Sequence, residues 1–305
     1  SVELAPIEIT RDKRKVSLSM RDQSIFSSSQ VPKLGSAVSI SSTIDVSKAR
    51  EDRIAIIPFS LKNEDFSLSA QLKIFTQQDK VYLEFESYID QIEVSKINQN
   101  IPDILANTEG ARWINDVLTE GILTDIKLTT RFNMSGDLDS PNTKFSANLM
   151  GAKISVNSDW PDIEELDAKV TFSNDYLKIV GNKASIDGID LSYLSITTRD
   201  FNQPNAVMSL NGRFNSQSKK IAEFITQSPV SVKIKSYFDE FELDGKLWGN
   251  VNLVVPLQKI SGQKTKIAFD MFVSENSLTL LTGKLKVDEF SSQLSFSDGL
   301  IRTKG

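Results

Sequence analysis

The sequence predicts a mostly β protein: a long, twisted, repetitive antiparallel sheet curled into a hydrophobic groove, with a few short helices. Three observations carry that expectation. Apolar residues alternate with serine, threonine and charged residues over many short runs, the pattern of strands with one face in water. Breaks rich in Gly, Asn and Asp separate the runs at hairpin spacing. Two stretches of the chain also return in the same order after roughly 120 residues, the self-similarity of a repeat array.

The clearest unit runs from Trp160 to Gly188, WPDIEELDAKVTFSNDYLKIVGNKASIDG. It reads as three short strands: Leu166, Ala168, Val170 and Phe172 on one face, Leu177 and Ile179 after a turn at Ser173 to Asp175, then Ala184 and Ile186 after Gly181-Asn182. Near the end VDEFSSQLSFSDGLIRTKG repeats it, with Val287, Phe290, Leu294, Phe296 and Leu300 in the places of Ile163, Leu166, Val170, Phe172 and Leu177. EGILTDIKL from Glu120 likewise matches DGKLWGNVNL from Asp244, placing Gly121 on Gly245 and Leu123 on Leu247. These matches divide the chain into an N-terminal β segment of the groove, 1–96, a repeat unit with a helical insertion followed by strands, 97–220, and a second, truncated unit, 221–305. Because the second copy stops where another strand is due, the chain is expected to be a fragment of a longer one.

Taken in order, KVSLSM, SIFSSSQV and SAVSISSTIDV between Lys15 and Val46 read as strands with a single apolar face, and KAREDR at Lys48 to Arg53 as a solvated loop. Phe66, Leu68, Ala70, Leu72 and Ile74 alternate, turn at Gln77 to Asp79, and continue as Val81, Leu83 and Phe85, the cleanest hairpin of the first half. Between Ile92 and Leu118 the spacing changes to three or four: Ile97, Ile101, Ile104 and Leu105, then Trp113, Ile114, Val117 and Leu118. Two short amphipathic helices are expected there. Strands resume with Ile126, Leu128 and Phe132 and continue through Phe145, Ala147, Leu149, Ile154 and Val156 into the Trp160 unit. Leu191 to Ile196 and then Ala206, Met208, Leu210 and Phe214 make two more. The helical interlude returns as KKIAEFITQ, Lys219 to Gln227, ended by Pro229. Val230, Val232 and Ile234 form a short strand or turn. Leu247, Val251, Leu253 and Val255 restore the sheet, followed by strands over Ile267 to Val273, including Phe269, over Leu278 to Leu281, and over Leu285 to Phe296, including Leu294.

Composition excludes several functions. A chain of 305 residues that is 39% apolar can bury a substantial core. Its net charge of -5 argues against a nucleic-acid surface. Cysteine and histidine are both absent, which removes disulfides, thiolate nucleophiles and the commonest general base and metal ligand. Histidine-dependent triads are therefore excluded, and the chain is expected to be no enzyme and to bind no metal, cofactor or nucleic acid. No stretch approaches the roughly 18 apolar residues of a spanning helix, and SVELAP lacks the layout of a signal peptide.

At WPDIEEL with its following strand, at ARWINDVLTEG from Ala111 and at LWGNVNLVVPL from Leu247, the sequence resembles the YhdP branch of the AsmA-like proteins. The resemblance extends over the whole chain through the order of strands, the Trp-containing helix and the Gly-initiated strands. It implies an envelope protein of a diderm bacterium, anchored in the inner membrane by an N-terminal helix outside this stretch. Its periplasmic body would be a half-open β-sheet, similar to the bridge-like lipid transfer proteins, along which phospholipid acyl chains slide between inner and outer membrane. No active-site residue comes with the resemblance.

A one-sided strand array must bury its apolar face in a two-sheet sandwich, a closed barrel, or a trough that something else fills. Alternation alone describes a closed sandwich core as well as a trough; the repeat and the resemblance favour the trough. Its lining is then expected from Phe66, Leu68, Leu72, Ile74, Val81, Leu83, Phe85, Ile126, Leu128, Leu166, Val170, Phe172, Leu177, Ile179, Met208, Leu210, Val251, Leu253, Val255, Ile267, Phe269, Leu294 and Phe296. Trp113, Trp160 and Trp248 are expected to be packing anchors at repeat joints. The helices are expected to cover an edge or end. The carboxylate pairs Glu164-Glu165 and Asp239-Glu240 read as surface charge. The rival reading is a non-catalytic scaffold or adhesin spacer with a dry interior.

Overall fold

The computed structural model describes residues 8–12, 15–23, 38–45, 54–62, 65–100, 117–134, 142–155, 160–174, 176–199, 203, 205–227, 240–257, 265–282, 285–297 and 300–304. Those residues form a mostly β, antiparallel structure. Its strands are β1 (Glu8–Asp12), β2 (Lys15–Gln23), β3 (Val38–Asp45), β4 (Ile54–Lys62), β5 (Ser67–Gln77), β6 (Lys80–Glu93), β7 (Leu118–Asn133), β8 (Asn142–Ile154), β9 (Ile163–Ser173), β10 (Tyr176–Ile186), β11 (Ile189–Arg199), β12 (Val207–Gln217), β13 (Phe241–Asp244), β14 (Lys246–Pro256), β15 (Lys266–Leu280), β16 (Leu285–Ser297) and β17 (Leu300–Lys304). The two described helices are short, α1 (Val94–Asn100) and α2 (Ser218–Gln227).

The chain divides into two compact units, Ser1–Met150 with Val170–Asn174, and Gly151–Lys169 with Asp175–Gly305. In unit 1, β1 to β7 form a meander in which each strand pairs with the next. The predicted hairpin of Leu68 to Phe85 is β5 and β6, joined through Gln78 and Asp79, both in the left-handed region. In β4, IAIIPFSLK carries Pro58 in a sheet interior where its missing N–H is costly. The β3–β4 ladder accordingly pairs Ser39 to Ser42 with Lys62 to Phe59 and goes no further, and the Ser42 hydroxyl donates to the Pro58 carbonyl at 2.6 Å.

In unit 2, β10, β11 and β12 pair in sequence, β12 passes to β14, and β14, β15, β16 and β17 continue the ladder. β13 and β14 both pair with β15 and amount to one strand broken at Gly245. The structure corrects the reading of three strands after Trp160: β10 passes through Gly181-Asn182 without turning, and the reversal comes at Asp187 and Gly188. It also joins the two runs expected between Ile267 and Leu281 into the single strand β15, whose register shifts near Asn276.

The repeat is visible in the backbone. Gly121 and Gly245, Gly151 and Glu275, and Glu165 and Glu289 all have positive φ and stand 124 residues apart (245 − 121, 275 − 151, 289 − 165). α1 and α2 start at Val94 and Ser218, and β8 and β15 at Asn142 and Lys266, with the same spacing (218 − 94, 266 − 142). Strand boundaries, bulges and helical insertions therefore recur together, as expected when one supersecondary unit is duplicated.

The loop expected at Lys48 to Arg53, the segment SIFSSSQV, the helix around Trp113 and the stretch from Val230 to Ile234 lie outside the described residues. Leu118, assigned to that helix, is the first residue of β7.

Candidate functional site

Because successive side chains of a strand point to opposite sides, register alone sorts unit 2 into two faces. On one face cross-strand rows run Ile179–Ile196–Leu210–Leu253–Ile267 and Leu194–Gly212–Val251–Phe269–Phe296. Phe269 and Phe296 stack at 4.9 Å between ring centroids. The other face carries Asn211 beside Asn252, and Arg213, Asn250, Asp270 and Ser295 in one row, with Asn252 Nδ2 donating to Asn211 Oδ1 at 2.6 Å. One side of these strands is therefore hydrocarbon and the other amide and charge.

The apolar rows curve around a cavity of about 100 Å³. Ile163 of β9 and Ile267, Phe269 and Met271 of β15 line the same space, so the ladder of unit 2 bends back toward itself. Leu191, Met208, Leu210, Phe214, Val251, Leu253 and Val255 form the floor, and no charged side chain lines it. At Gly249, beside Met271 on the same face, an added Cβ would come within 2.1 Å of the Asp270 carbonyl oxygen, so only glycine permits that approach of β14 to β15.

α2 lies against the cavity and lines one side of it. Its spacing puts Ile221, Phe224 and Ile225 on one face, all lining the cavity, with Ile221 and Ile225 buried. Phe224 packs against Trp160, ring centroids 6.4 Å apart. At about 1.5–3 kcal/mol per buried side chain, the three residues hold the helix down by at most about 5–9 kcal/mol, an upper bound because the unfolded chain already buries part of that surface.

The helix start is fixed by polar contacts. The Ser218 amide donates to the Gly245 carbonyl at 2.9 Å, and the Ser218 hydroxyl is 2.7 Å from that carbonyl and 2.8 Å from Asn276 Oδ1. Asn276, wholly buried, donates through Nδ2 to the carbonyls of Lys246 and Ser274 at 2.8 and 3.0 Å. A Cβ at Gly245, whose φ is +143°, would meet Asn276 at 2.5 Å. Lys220 adds a bond from Nζ to the Gly188 carbonyl at 3.0 Å.

The segment carrying Trp160 is pinned in a similar way. Lys153 Nζ reaches Asp162 and Glu164, each at 3.1 Å. Hydrogen bonding from Ser155, and then from Lys153, holds the Asp162 carboxyl below its ordinary range. Of the paired carboxylates, Glu164 and Glu165 both sit in such exposed ion pairs, with Lys153 and Lys183, and Asp239 lies outside the described residues.

Unit 1 presents a second apolar face. The rows Leu61–Leu68–Ile89–Ile126, Ile57–Leu72–Phe85–Thr130 and Ala55–Ile74–Leu83–Phe132 share one side of β4 to β7. Ile74 and Val81 are each 39% exposed there, and Leu68, Leu72, Leu83, Phe85 and Leu128 are half-buried. The opposite side holds Glu84, 6% exposed, which accepts from Arg131 Nε at 2.7 Å and pairs with its Nη2 at 2.5 Å. Arg131 also lies over the stacked rings of Phe75 and Tyr82, at 5.2 and 5.9 Å from their centroids.

Of the residues expected to line a groove, the structure brings Leu68, Leu72, Ile74, Val81, Leu83, Phe85, Ile126 and Leu128 onto the apolar face of unit 1, where Ile126 is buried; Phe66 lies half-buried just ahead of β5. In unit 2, Leu177, Ile179, Met208, Leu210, Val251, Leu253, Val255, Ile267, Phe269, Leu294 and Phe296 share the apolar face, and seven of these border the cavity. Leu166, Val170 and Phe172 share one side of β9, with Leu166 fully buried.

Sequence reasoning assigned the helix to edge or end cover and left Ile221, Phe224 and Ile225 out of the lining, although their spacing puts them on one face, and it misplaced one tryptophan. Trp160 packs as expected, but Trp248 is 45% exposed on the polar side of β14, stacked on Phe272 with centroids 6.0 Å apart, because its register is one residue out of phase with Leu247. Trp113 lies outside the described residues. Among the described residues no cluster of acidic side chains could hold a metal ion, and no helix is long and apolar enough to cross a membrane.

Over 148 residues, 48% of the chain, it is 22% identical to the intermembrane phospholipid transporter YhdP of Escherichia coli (strain K12), and the match spans 11% of that protein's length. No solved structure matches the chain. The family model described as YhdP protein matches residues 5–305, and the chain belongs to that family.

Proposed function

We propose that this chain is a periplasmic segment of an inner-membrane-anchored, AsmA-like bridge protein that carries phospholipids between the inner and outer membranes. Its role is non-catalytic: acyl chains rest on the apolar side of the sheet while the polar side faces water. On this reading the repeat units are 97–220 and 221–305, preceded by the β segment 1–96. The observation that carries the proposal is the cavity of unit 2, lined by apolar side chains from β9 to β15 and by no charge. The transporter named above, although matched over a small part of its length, supports it.

The energetics suit a conduit. Each CH₂ buried contributes about 0.8 kcal/mol, so an acyl chain favours such a lining over water by on the order of 10 kcal/mol. Against a bilayer interior, which is equally apolar, it gains little, and a surface that neither repels nor traps the lipid is what sliding transfer requires. The test is the lipid content of the purified chain, measured by mass spectrometry. Phospholipid is expected to copurify, and Leu68→Asp, Val170→Asp and Leu253→Asp are expected to lower the lipid-to-protein ratio severalfold. Equal lipid in all four proteins would refute the reading and leave a rigid spacer in its place.

A further inference from the structure

We infer that α2 is a displaceable plug: its apolar face occupies the place of an acyl chain, and lipid gains the cavity of unit 2 only when the helix lifts. This deepens the lipid-carrying reading and rests on it. The first argument is volume. With the helix seated the cavity measures about 100 Å³, whereas an apolar cavity of about 150 Å³ is what admits a single benzene. A phospholipid tail cannot share the space with Ile221, Phe224 and Ile225.

The second argument is how the helix is attached. Its start is held by Ser218, Gly245 and Asn276 through a buried set of hydrogen bonds, and by the Lys220 bond to the Gly188 carbonyl. Beyond that anchor, Ile221, Phe224 and Ile225 meet the sheet and Trp160 through hydrocarbon contacts. Such contacts are non-directional, and an acyl chain replaces them in kind. Among the described residues the directional bonds of the helix lie at its start and its other contacts with the sheet are exchangeable hydrocarbon, an attachment that pivots rather than detaches.

The experiment titrates the 305-residue chain with a phosphatidylcholine bearing a pyrene-labelled acyl chain. Ile225→Asp, which unseats the helix, is expected to bind the lipid at least about tenfold more tightly, the gain when a site open in no more than about one molecule in ten becomes open in all. Leu253→Asp, on the floor, is expected to bind it more weakly. Opposite signs are the signature of a plug. If both variants bind more weakly, the helix is a wall of the site and the plug is refuted while the lipid reading stands. If Leu253→Asp matches the unaltered chain, or no chain binds, the lipid reading fails and the plug with it. Should Ile225→Asp lose its β-sheet circular dichroism, Phe224→Ser is scored by the same signs. Hydrogen exchange provides a second readout: lipid is expected to speed exchange at the amides of residues 221–227, and slowed exchange there overturns the inference.

Discussion

The two units present the same alternation of apolar and polar residues but differ in what lies over the apolar side. Around β5 and β6 in unit 1, Leu68, Leu72, Leu83 and Phe85 remain half-exposed and Ile74 stands open, while Leu210, Leu253, Val255 and Phe269 on the corresponding side of unit 2 are buried. In unit 2 the described helix α2 lies against that side, and the described helices of the two units differ in their apolar residues. VSKINQN in α1 offers Val94 and Ile97, whereas SKKIAEFITQ in α2 offers Ile221, Phe224 and Ile225 and meets Trp160. Alternation decides the chemistry of a face, and a few residues outside the strands decide whether it is covered. Repeat-equivalent positions make the same point: Ile163 is buried beside the cavity, while Val287 is 40% exposed.

The sharpest way to break this comparison is to place the same charge on both faces. Leu253→Asp, which buries an unpaired carboxylate, is expected to cost about 3–5 kcal/mol, and Leu83→Asp, half in water, about 1 kcal/mol. Urea unfolding of the two variants measures the difference, and equal costs would show that the faces are equally covered. Asn276→Ala is expected to cost about 2 kcal/mol, because the carbonyls of Lys246 and Ser274 lose their donor. In that variant amide exchange is expected to rise first in α2; a uniform rise across the strands would contradict its role as the helix anchor.

A smaller effect is expected at Asp162, whose carboxyl is held below its ordinary range by Ser155 and then Lys153. A depressed folded-state pKa contributes stability above the unfolded value of about 4, and that stability is lost as pH falls through the folded value. Asp162→Asn is therefore expected to cost less than about 1 kcal/mol at neutral pH, since the pair is exposed, and nothing once the pH is below both values. A cost that persists in acid would assign the effect to packing. Smallest of all is Ile74→Ser on the open face, expected to stay within about 0.5 kcal/mol of the unaltered chain in urea while lowering copurified lipid. A clear loss of stability would mean that this side of unit 1 is closed.

Much of this was legible before any coordinates. The alternation from Leu68 to Phe85 specifies β5, β6 and their shared face, because a one-residue slip would send every apolar side chain into water. The period of roughly 120 is the 124-residue spacing of the backbone (245 − 121). β4 went unread because IAIIPFSLK is nearly continuous in apolar residues and carries a proline, so neither its period nor its composition signals a paired strand. Gly181-Asn182 looked like a turn, yet Gly181 lies within β10, its Cα facing Leu166 and Ala168 too closely for a side chain. Trp248 and Glu84 illustrate the remaining limit: phase along a strand assigns a face, but the partner that makes a face favourable, Phe272 for one and Arg131 for the other, comes from strands distant in sequence.

The most direct test of the account is to photolabel the purified chain with a phospholipid carrying a diazirine in its acyl chain and to map the labelled residues by mass spectrometry. Label is expected at positions such as Leu83 and Phe85 of unit 1 and Leu210, Leu253 and Phe269 of unit 2, and not at Gln71, Glu86, Asn211 or Asn252 on the opposite sides. Label spread equally over both sides, or confined to the polar one, would contradict the claim that the apolar side is where lipid rests.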